Sequence, residues 1–460
     1  MLRHEPPEPM LRPGISSPID RATLVAWYRR NRQRTRALFD LLIDEKSFYS
    51  HPIALRHPFI FYEGHVPAFS FNTLVKTALG AASIDAELEA LFARGIDPPT
   101  DSSPASGMEP NQEAWPSRKV VRQFVLAADV RVIEALSHAD IDRPGHPLLE
   151  GAQAAFVILE HEAMHQETLY YLLHRVPWDQ KRCPPDYRPS LGGEAPPVEW
   201  IEIAPGCATL GVDRGSEHFV WDNECPRYSE SVRAFAMQRH NVTNEAFMEF
   251  VDAGGYQDSR WWARENWDWV QRENILHPLF WERQAGSWSW RGMFEPIPLP
   301  PAWPVYVNHA EAEAYARWSG ARLPTEAEFV RAAYGAPEGD ERPFPWGDSP
   351  PENRHGVFDF NSWDPEPAGS HPDSRSAWGV EDLVGNGWEW TDTRFGPFPG
   401  FRPQASYPEY SADFFDGDHF VMKGGSPATA RELLRPTFRN WFRPRYPYAY
   451  ATFRCVKDLA

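Results

Sequence analysis

The sequence predicts an α+β multidomain protein, an N-terminal four-helix bundle followed by an α+β domain with little regular structure. Three observations predict it. Apolar residues recur at helical spacing in four long stretches before residue 176. A Pro-rich break, C-P-P-D-Y-R-P-S-L-G-G-E-A-P-P, occupies Cys183 to Pro197. Beyond it the chain turns to short strands, turns, Gly and Trp. At 460 residues the chain is too long for one ordinary core. The expected division is a helical domain over 16–182, a linker over 183–197 and a second domain over 198–460.

The elements follow in order. Ser17 to Asp20 reads as a helix start, and Leu24, Tyr28, Leu38 and Leu42 give the first helix its period. A second helix is expected from His65 to Ala81 and a third from Lys119 to Ser137. The third carries Val121, Phe124, Val125, Ala128 and Ile133 on one side. A fourth runs from Leu148 to Arg175. Joined by loops, these suggest an antiparallel bundle. Asp97 to Ser117, rich in Pro, Ser and Asp, reads as a long loop. In the second part Val198 to Val212 alternates as a strand pair would, and Asn244 to Ala253 and Ala310 to Ser319 are the only firm helices.

The 46 Lys and Arg against 64 Asp and Glu leave a formal net charge of -18, a poor match for nucleic acid or an anionic membrane surface. That balance favours a small-molecule substrate. No run of 18 apolar residues appears, and Met1 to Ile15 has no apolar core of a secretory signal. The four cysteines form no C-x-x-C pair. A cytoplasmic, monomeric protein with reduced thiols is expected. The 20 Trp serve packing, or a few of them line a pocket for a cation or a sugar.

The chemistry concentrates in L-E-H-E-A-M-H-Q-E, Leu159 to Glu167. His161 and His165 lie one turn apart on one helix face, a spacing at which two imidazoles can grip one metal. The segment also fits the H-E-x-x-H pattern of zinc hydrolases, with Glu162 as base. Glu167 reads as a hydrogen-bond partner for a ligand ring or as a solvated helix residue, the latter preferred. A third ligand is available in H-P-I-A-L-R-H-P-F-I-F-Y-E-G-H as His51, His57 or His65. His65, beside Phe59, Phe61 and Tyr62, is preferred. Three histidines suit iron(II) with O2, or zinc with water, and spacing does not choose.

Longer motifs then carry a resemblance. G-H-V at Gly64 to Val66 and H-E-A-M-H-Q-E at His161 to Glu167 resemble the DinB-like iron-binding domain of the sulfoxide synthases that make ergothioneine and ovothiol. In the second part stand N-V-T-N-E-A-F (Asn241 to Phe247), W-S-G-A-R-L-P-T-E-A-E-F (Trp318 to Phe329) and G-N-G-W-E-W-T (Gly385 to Thr391). They are joined by G-G-S (Gly424 to Ser426), F-R-N-W (Phe438 to Trp441) and F-R-C (Phe453 to Cys455). These resemble the C-type-lectin-like fold of the formylglycine-generating enzymes. The absence of a closely spaced cysteine pair argues against their copper chemistry.

The resemblance implies a site between the two domains. It implies iron(II) on His65, His161 and His165, O2 as co-substrate, and hercynine held by Asn440 and Trp441. It also implies a proton-managing tyrosine, Tyr407 or Tyr410. Two positions depart from the ergothioneine pattern. Phe442 replaces the acid of F-R-N-W-D, and Met164 stands where Gln is common. Arg443 and Arg445 are candidates for a donor phosphate or carboxylate, or are solvated. Phe442 and M-H-Q-E-T-L-Y-Y-L point to the selenoneine-forming branch, which joins selenium of a selenosugar to C2 of the hercynine imidazole. The alternative is a thiol donor, cysteine or gamma-glutamylcysteine. From other classes, a zinc hydrolase and a non-catalytic binding module remain open.

Overall fold

The computed structural model describes residues 19–93, 115–284 and 286–459. The expectations for Met1 to Ile15, and for the loop over Asp97 to Ser117 up to residue 114, lie outside the described residues.

The helical half is built on α1 (Arg21–Phe39), α2 (Phe59–Ser70), α3 (Ala86–Leu91), α4 (Arg118–His138) and α5 (Gln153–Arg175). Asp20 starts α1 by accepting the Ala22 N–H at 3.0 Å. α1, α2, α4 and α5 pack on one another as the four-helix unit. α2 begins at Phe59, six residues before the expected start at His65, and runs on as a π-helical segment over Phe71–Ala78. The reason is burial: every residue from Phe59 to Ala68 is buried, so no polar face marks the helix. Gly64 lets α2 approach the residue after α3, since a Cβ there would fall 2.4 Å from the Phe92 ring.

α5 is buried everywhere except Gln153, Met164 and Arg175. Such a helix has no solvent face because the C-terminal half closes over it. Tyr170 stacks on Trp363 at 4.8 Å, and one apolar core runs through both halves. The Pro-rich segment forms neither helix nor strand from residue 184 to 199. It is pinned to the second half: Tyr187 donates to Asp364 at 2.6 Å, and Trp303 donates to the Ser190 carbonyl at 2.7 Å.

The C-terminal half carries twelve short strands among its described residues. The sheet that matters for the site has the order β10 (Asn440–Phe442), β9 (Phe420–Gly425), β8 (Gly387–Arg394), β11 (Ala451–Thr452). Trp388 lies opposite Gly424, and Trp441 opposite Val421. Gly424 has φ +93°, and a Cβ would meet the Leu383 carbonyl at 2.6 Å, so the G-G-S motif needs glycine there.

The expected strand pair over Val198 to Val212 exists as two strands that do not pair together. β1 (Trp200–Ile203) pairs with β4 (Phe235–Gln238), and β2 (Gly206–Leu210) with β3 (Tyr228–Val232). Arg331 explains the split: its guanidinium takes the Ala204 and Pro205 carbonyls at 3.3 Å, so the chain steps across it instead of folding back.

The two expected helices appear as α6 (Asn244–Asp252) and α8 (His309–Trp318). They are not alone, for α7 (Arg264–Glu273), α9 (Glu326–Tyr334) and α10 (Glu409–Ala412) join them. Thr325 and Glu328 cap α9 reciprocally, a signal that the T-E-A-E motif already carries. Glu389 is held by Arg454 through two bonds of 2.7 Å, both side chains fully buried. Among the described residues no helix is long and apolar enough to cross a membrane.

Candidate active site

The third histidine comes from α2 and the pair from α5. His65, His161 and His165 are all buried, and their ring nitrogens lie within 4.8 Å of one another. Nε2 of His165 sits 3.1 Å from Nε2 of His65 and 3.1 Å from Nε2 of His161. Nδ1 of His65 lies 2.7 Å from the Phe92 carbonyl, which can only accept, so the proton is on Nδ1 and the Nε2 lone pair faces the other rings. Burial pushes the His65 pKa down to about 4. Burial, then the neighbouring rings, hold His161 and His165 well below the ordinary value.

Three neutral imidazoles therefore converge their Nε2 atoms with one proton position already taken elsewhere. A divalent cation satisfies that arrangement, and the donor set suits iron(II) or zinc. His51 and His57 are not part of it. His51 Nδ1 meets the Arg56 carbonyl at 3.1 Å, and His57 packs on Phe61 at 4.3 Å.

Aromatic rings hold the imidazoles in place. Phe61 stacks on His65 at 4.8 Å and Phe69 on His161 at 3.5 Å. The Tyr407 ring lies 6.3 Å from that of His161 and 5.4 Å from Phe69. Tyr410 is a layer further on. It stacks on Trp221 at 4.0 Å and donates its hydroxyl to the Met164 sulfur at 3.2 Å. The two candidate tyrosines are thus separated by their surroundings: Tyr407 is beside a histidine, and Tyr410 spends its hydroxyl hydrogen bond on a thioether. Burial raises the Tyr407 pKa to about 12 and holds that of Tyr410 well above the ordinary phenol value.

The remaining expected residues fall into two groups. Asn440, Trp441 and Phe442 form β10, half-buried. Asn440 accepts the Trp441 backbone N–H at 2.9 Å, and Trp441 stacks on Phe395 at 4.2 Å with Tyr410 at its edge, 5.4 Å away. Phe442 stacks on Tyr446 at 4.7 Å. Arg443 and Arg445 belong to the surface. Arg443 is exposed with Asp418 at 3.7 Å, and Arg445 donates to the Glu265 carbonyl. Of the two expectations for them, a donor-binding role or a solvated one, their partners Asp418 and the Glu265 carbonyl fit the second.

Sequence reasoning missed Arg56, which belongs to the same segment as the candidate histidines. It is buried, donates to the Tyr446 hydroxyl at 3.2 Å and lies over the Tyr446 and Phe442 rings at 5.1 and 5.9 Å. Its charge adds to the downward shift of His165.

Two glutamates of the motif also differ from expectation. Glu162 is fully buried and accepts from Arg32 at 2.9 Å and Thr35 at 2.7 Å, both on α1. A carboxylate tied there serves the bundle, which removes the base that a zinc hydrolase needs. Glu167 is not a solvated residue: it is buried and accepts from Trp388 at 2.7 Å, Ser426 at 2.6 Å and Thr429 at 3.2 Å.

Comparison with known proteins decides the family. Residues 193–459 match the sulfatase-modifying factor enzyme 1-like domain, and residues 28–169 match the DinB superfamily. The chain belongs to the sulfatase-modifying factor enzyme 1-like family. It joins that domain to a DinB-like half, as expected from the motifs.

A hercynine oxygenase of Mycobacterium tuberculosis is 40% identical over 54% of this chain and 59% of its own length. One of Mycolicibacterium smegmatis is 35% identical over 74% of this chain and 78% of its own length. Ergothioneine biosynthesis protein 1 of Neurospora crassa is 26% identical over 91% of this chain and 56% of its own length. The likeness to the Neurospora crassa protein thus extends across both halves.

These relatives overturn the expectation of a selenosugar donor and favour the thiol alternative. The structure supplies the physical reason that Phe442 misled. Its ring is used in packing against Tyr446 beneath Arg56, so its presence is explained without a sugar to stack on it.

Proposed function

We propose that this chain is an iron(II)- and O2-dependent synthase that joins the sulfur of a thiol donor to C2 of the hercynine imidazole. The observation that carries the reading is the convergence of three neutral Nε2 atoms beside Tyr407, in a chain akin to proteins named hercynine oxygenase. The overall reaction balances as thiol, hercynine and O2 giving the sulfoxide and water. The C2–H and S–H hydrogens leave as that water. Iron(II) held by His65, His161 and His165 would supply O2 activation and a binding position for sulfur.

The chain's own residues bind, orient and manage protons. The Asn440 side-chain oxygen is occupied by the Trp441 N–H, so its NH2 group is the part left to donate to the hercynine carboxylate. Trp441 has one face on Phe395 and can offer the other to the trimethylammonium group. Tyr407 keeps its proton at neutral pH and can deliver it next to the histidines. Arg56 provides a cation over Phe442 and Tyr446, suited to the carboxylate of an amino-acid thiol and with less to offer a neutral sugar. Holding two substrates in one orientation is the main rate contribution such a wall can make.

The test is a donor comparison. Anaerobic protein loaded with iron(II) receives hercynine and either cysteine or gamma-glutamylcysteine, then air, with products read by mass spectrometry. A sulfoxide from at least one thiol is expected. Absence of coupling with both, at full iron loading, would overturn the proposal.

A further inference from the structure

Two buried carboxylates bracket the histidine pair on α5. Glu160 precedes His161 by one residue, and Glu167 follows His165 by two. Seven residues put them on nearly the same helix face, about 10 Å apart. Both reach into the C-terminal half. Glu160 accepts from Arg435 at 3.1 and 3.0 Å and from the Trp221 indole at 2.8 Å. Glu167 accepts from Trp388, Ser426 and Thr429.

Their partners hold the substrate wall. Trp388 is on β8 and Ser426 directly follows β9, the strands that carry β10 in their sheet. Trp221 is the ring under Tyr410, whose hydroxyl returns to Met164 on α5. Arg435 stands five residues before Asn440 and also binds Glu224. The ends of the wall are therefore tied to the same helix that presents two of the three imidazoles. The glutamate between the histidines, Glu162, bonds within the helical half instead.

We propose that Glu160 and Glu167 are positioning residues that register the aromatic wall against the histidine pair, so that filling the metal site is felt in β9 and β10. For its substrate arm this rests on the function proposed above; for its metal arm it does not. A carboxylate is the group the geometry requires at position 167, because all three partners donate to it. An amide of the same size would turn an NH2 group toward one of those donors.

The experiment is hydrogen–deuterium exchange of the full chain, without and with iron(II) under anaerobic conditions. In the wild type, iron(II) should slow exchange about fivefold or more in peptides covering residues 420–442, as well as in α2 and α5. In Glu167→Gln the α2 and α5 protection should persist, showing metal bound, while that of 420–442 falls below about twofold. Ser426→Ala, which removes one donor, should lie between the two and serves if Glu167→Gln does not fold.

A steady-state assay adds a second reading: the KM for hercynine should rise about tenfold in Glu167→Gln, with kcat within about threefold. Metal-dependent protection of 420–442 that is absent in the wild type, or unchanged in both variants, would overturn the proposal. Loss of metal from both variants would overturn it too, by making the carboxylate a support of the metal site alone. If the wild type fails to turn over hercynine, the functional proposal fails while the exchange result still decides this one.

Discussion

His65, His161 and His165 are held by two regular helices of 12 and 23 residues, whereas Tyr410 and Trp441 across from them sit on a helix of 4 residues and a strand of 3. In the helical half, backbone hydrogen bonds and close packing set the imidazole positions, with Phe61, Phe69 and the Phe92 carbonyl as supports. In the C-terminal half, the short elements are positioned by side-chain ties: Trp221 under Tyr410, Phe395 under Trp441, Tyr446 under Phe442. The difference teaches that the histidine cluster and the aromatic wall rest on separate structural supports, joined at α5.

The largest expected effect breaks the helical side. His161→Ala should lose bound iron and lower turnover by about a thousandfold or more. Trp441→Ala, on the other side, should keep the iron and lose hercynine affinity. Metal analysis beside kinetics separates the two, and loss of iron in Trp441→Ala would break the comparison.

Next comes the bundle's buried ion network. Arg32 bonds Glu162 and Asp129 at 2.9 Å each, with both carboxylates almost wholly buried. Arg32→Met leaves Glu162 without its cation, while Asp129 keeps Arg36 at 2.6 Å, and should cost about 3–5 kcal/mol in chemical unfolding. The KM for hercynine of the folded fraction should change little.

A smaller effect belongs to the C-terminal half and depends on pH. Burial raises the Glu311 pKa to about 7, against the Asn308 N–H and the Tyr256 hydroxyl that favour its charge. The folded state therefore holds this proton more tightly than the unfolded state, whose value is 4.5. The stability it contributes is greatest below pH 4.5 and is lost as pH rises to about 7. Wild-type unfolding free energy should fall by about 3 kcal/mol across that window relative to Glu311→Gln. Urea titrations at several pH values measure it, and parallel curves would contradict it.

The smallest effect is at the surface. Arg443→Ala should change stability by less than about 0.5 kcal/mol and leave both KM values within about twofold. A larger rise in the KM for the thiol would return Arg443 to the site.

The helices around the histidine pair were legible in the sequence because α1 and α4 present periodic apolar residues, and because the H-x-x-x-H pair of α5 puts two imidazoles on one helix face. The start of α2 was not legible, since a helix buried on all sides has no period to read. The wall was legible as motifs but not as geometry. Nothing local tells that Phe442 leans on Tyr446, that Arg56 reaches across the chain to both, or that Glu167 meets Trp388 221 residues later. Charge alone also left the roles of Arg443 and Arg445 open, because an arginine near a motif carries no sign of which way it points.

Residues from two helices converge on a single candidate metal centre. It is tested most directly by iron(II) stoichiometry in the wild type and in His65→Ala, measured anaerobically after removal of loosely bound ions. Close to one equivalent is expected in the wild type, with loss of tight binding and retained folding in His65→Ala. Full retention of iron in His65→Ala, or a wild type that holds none, would contradict it.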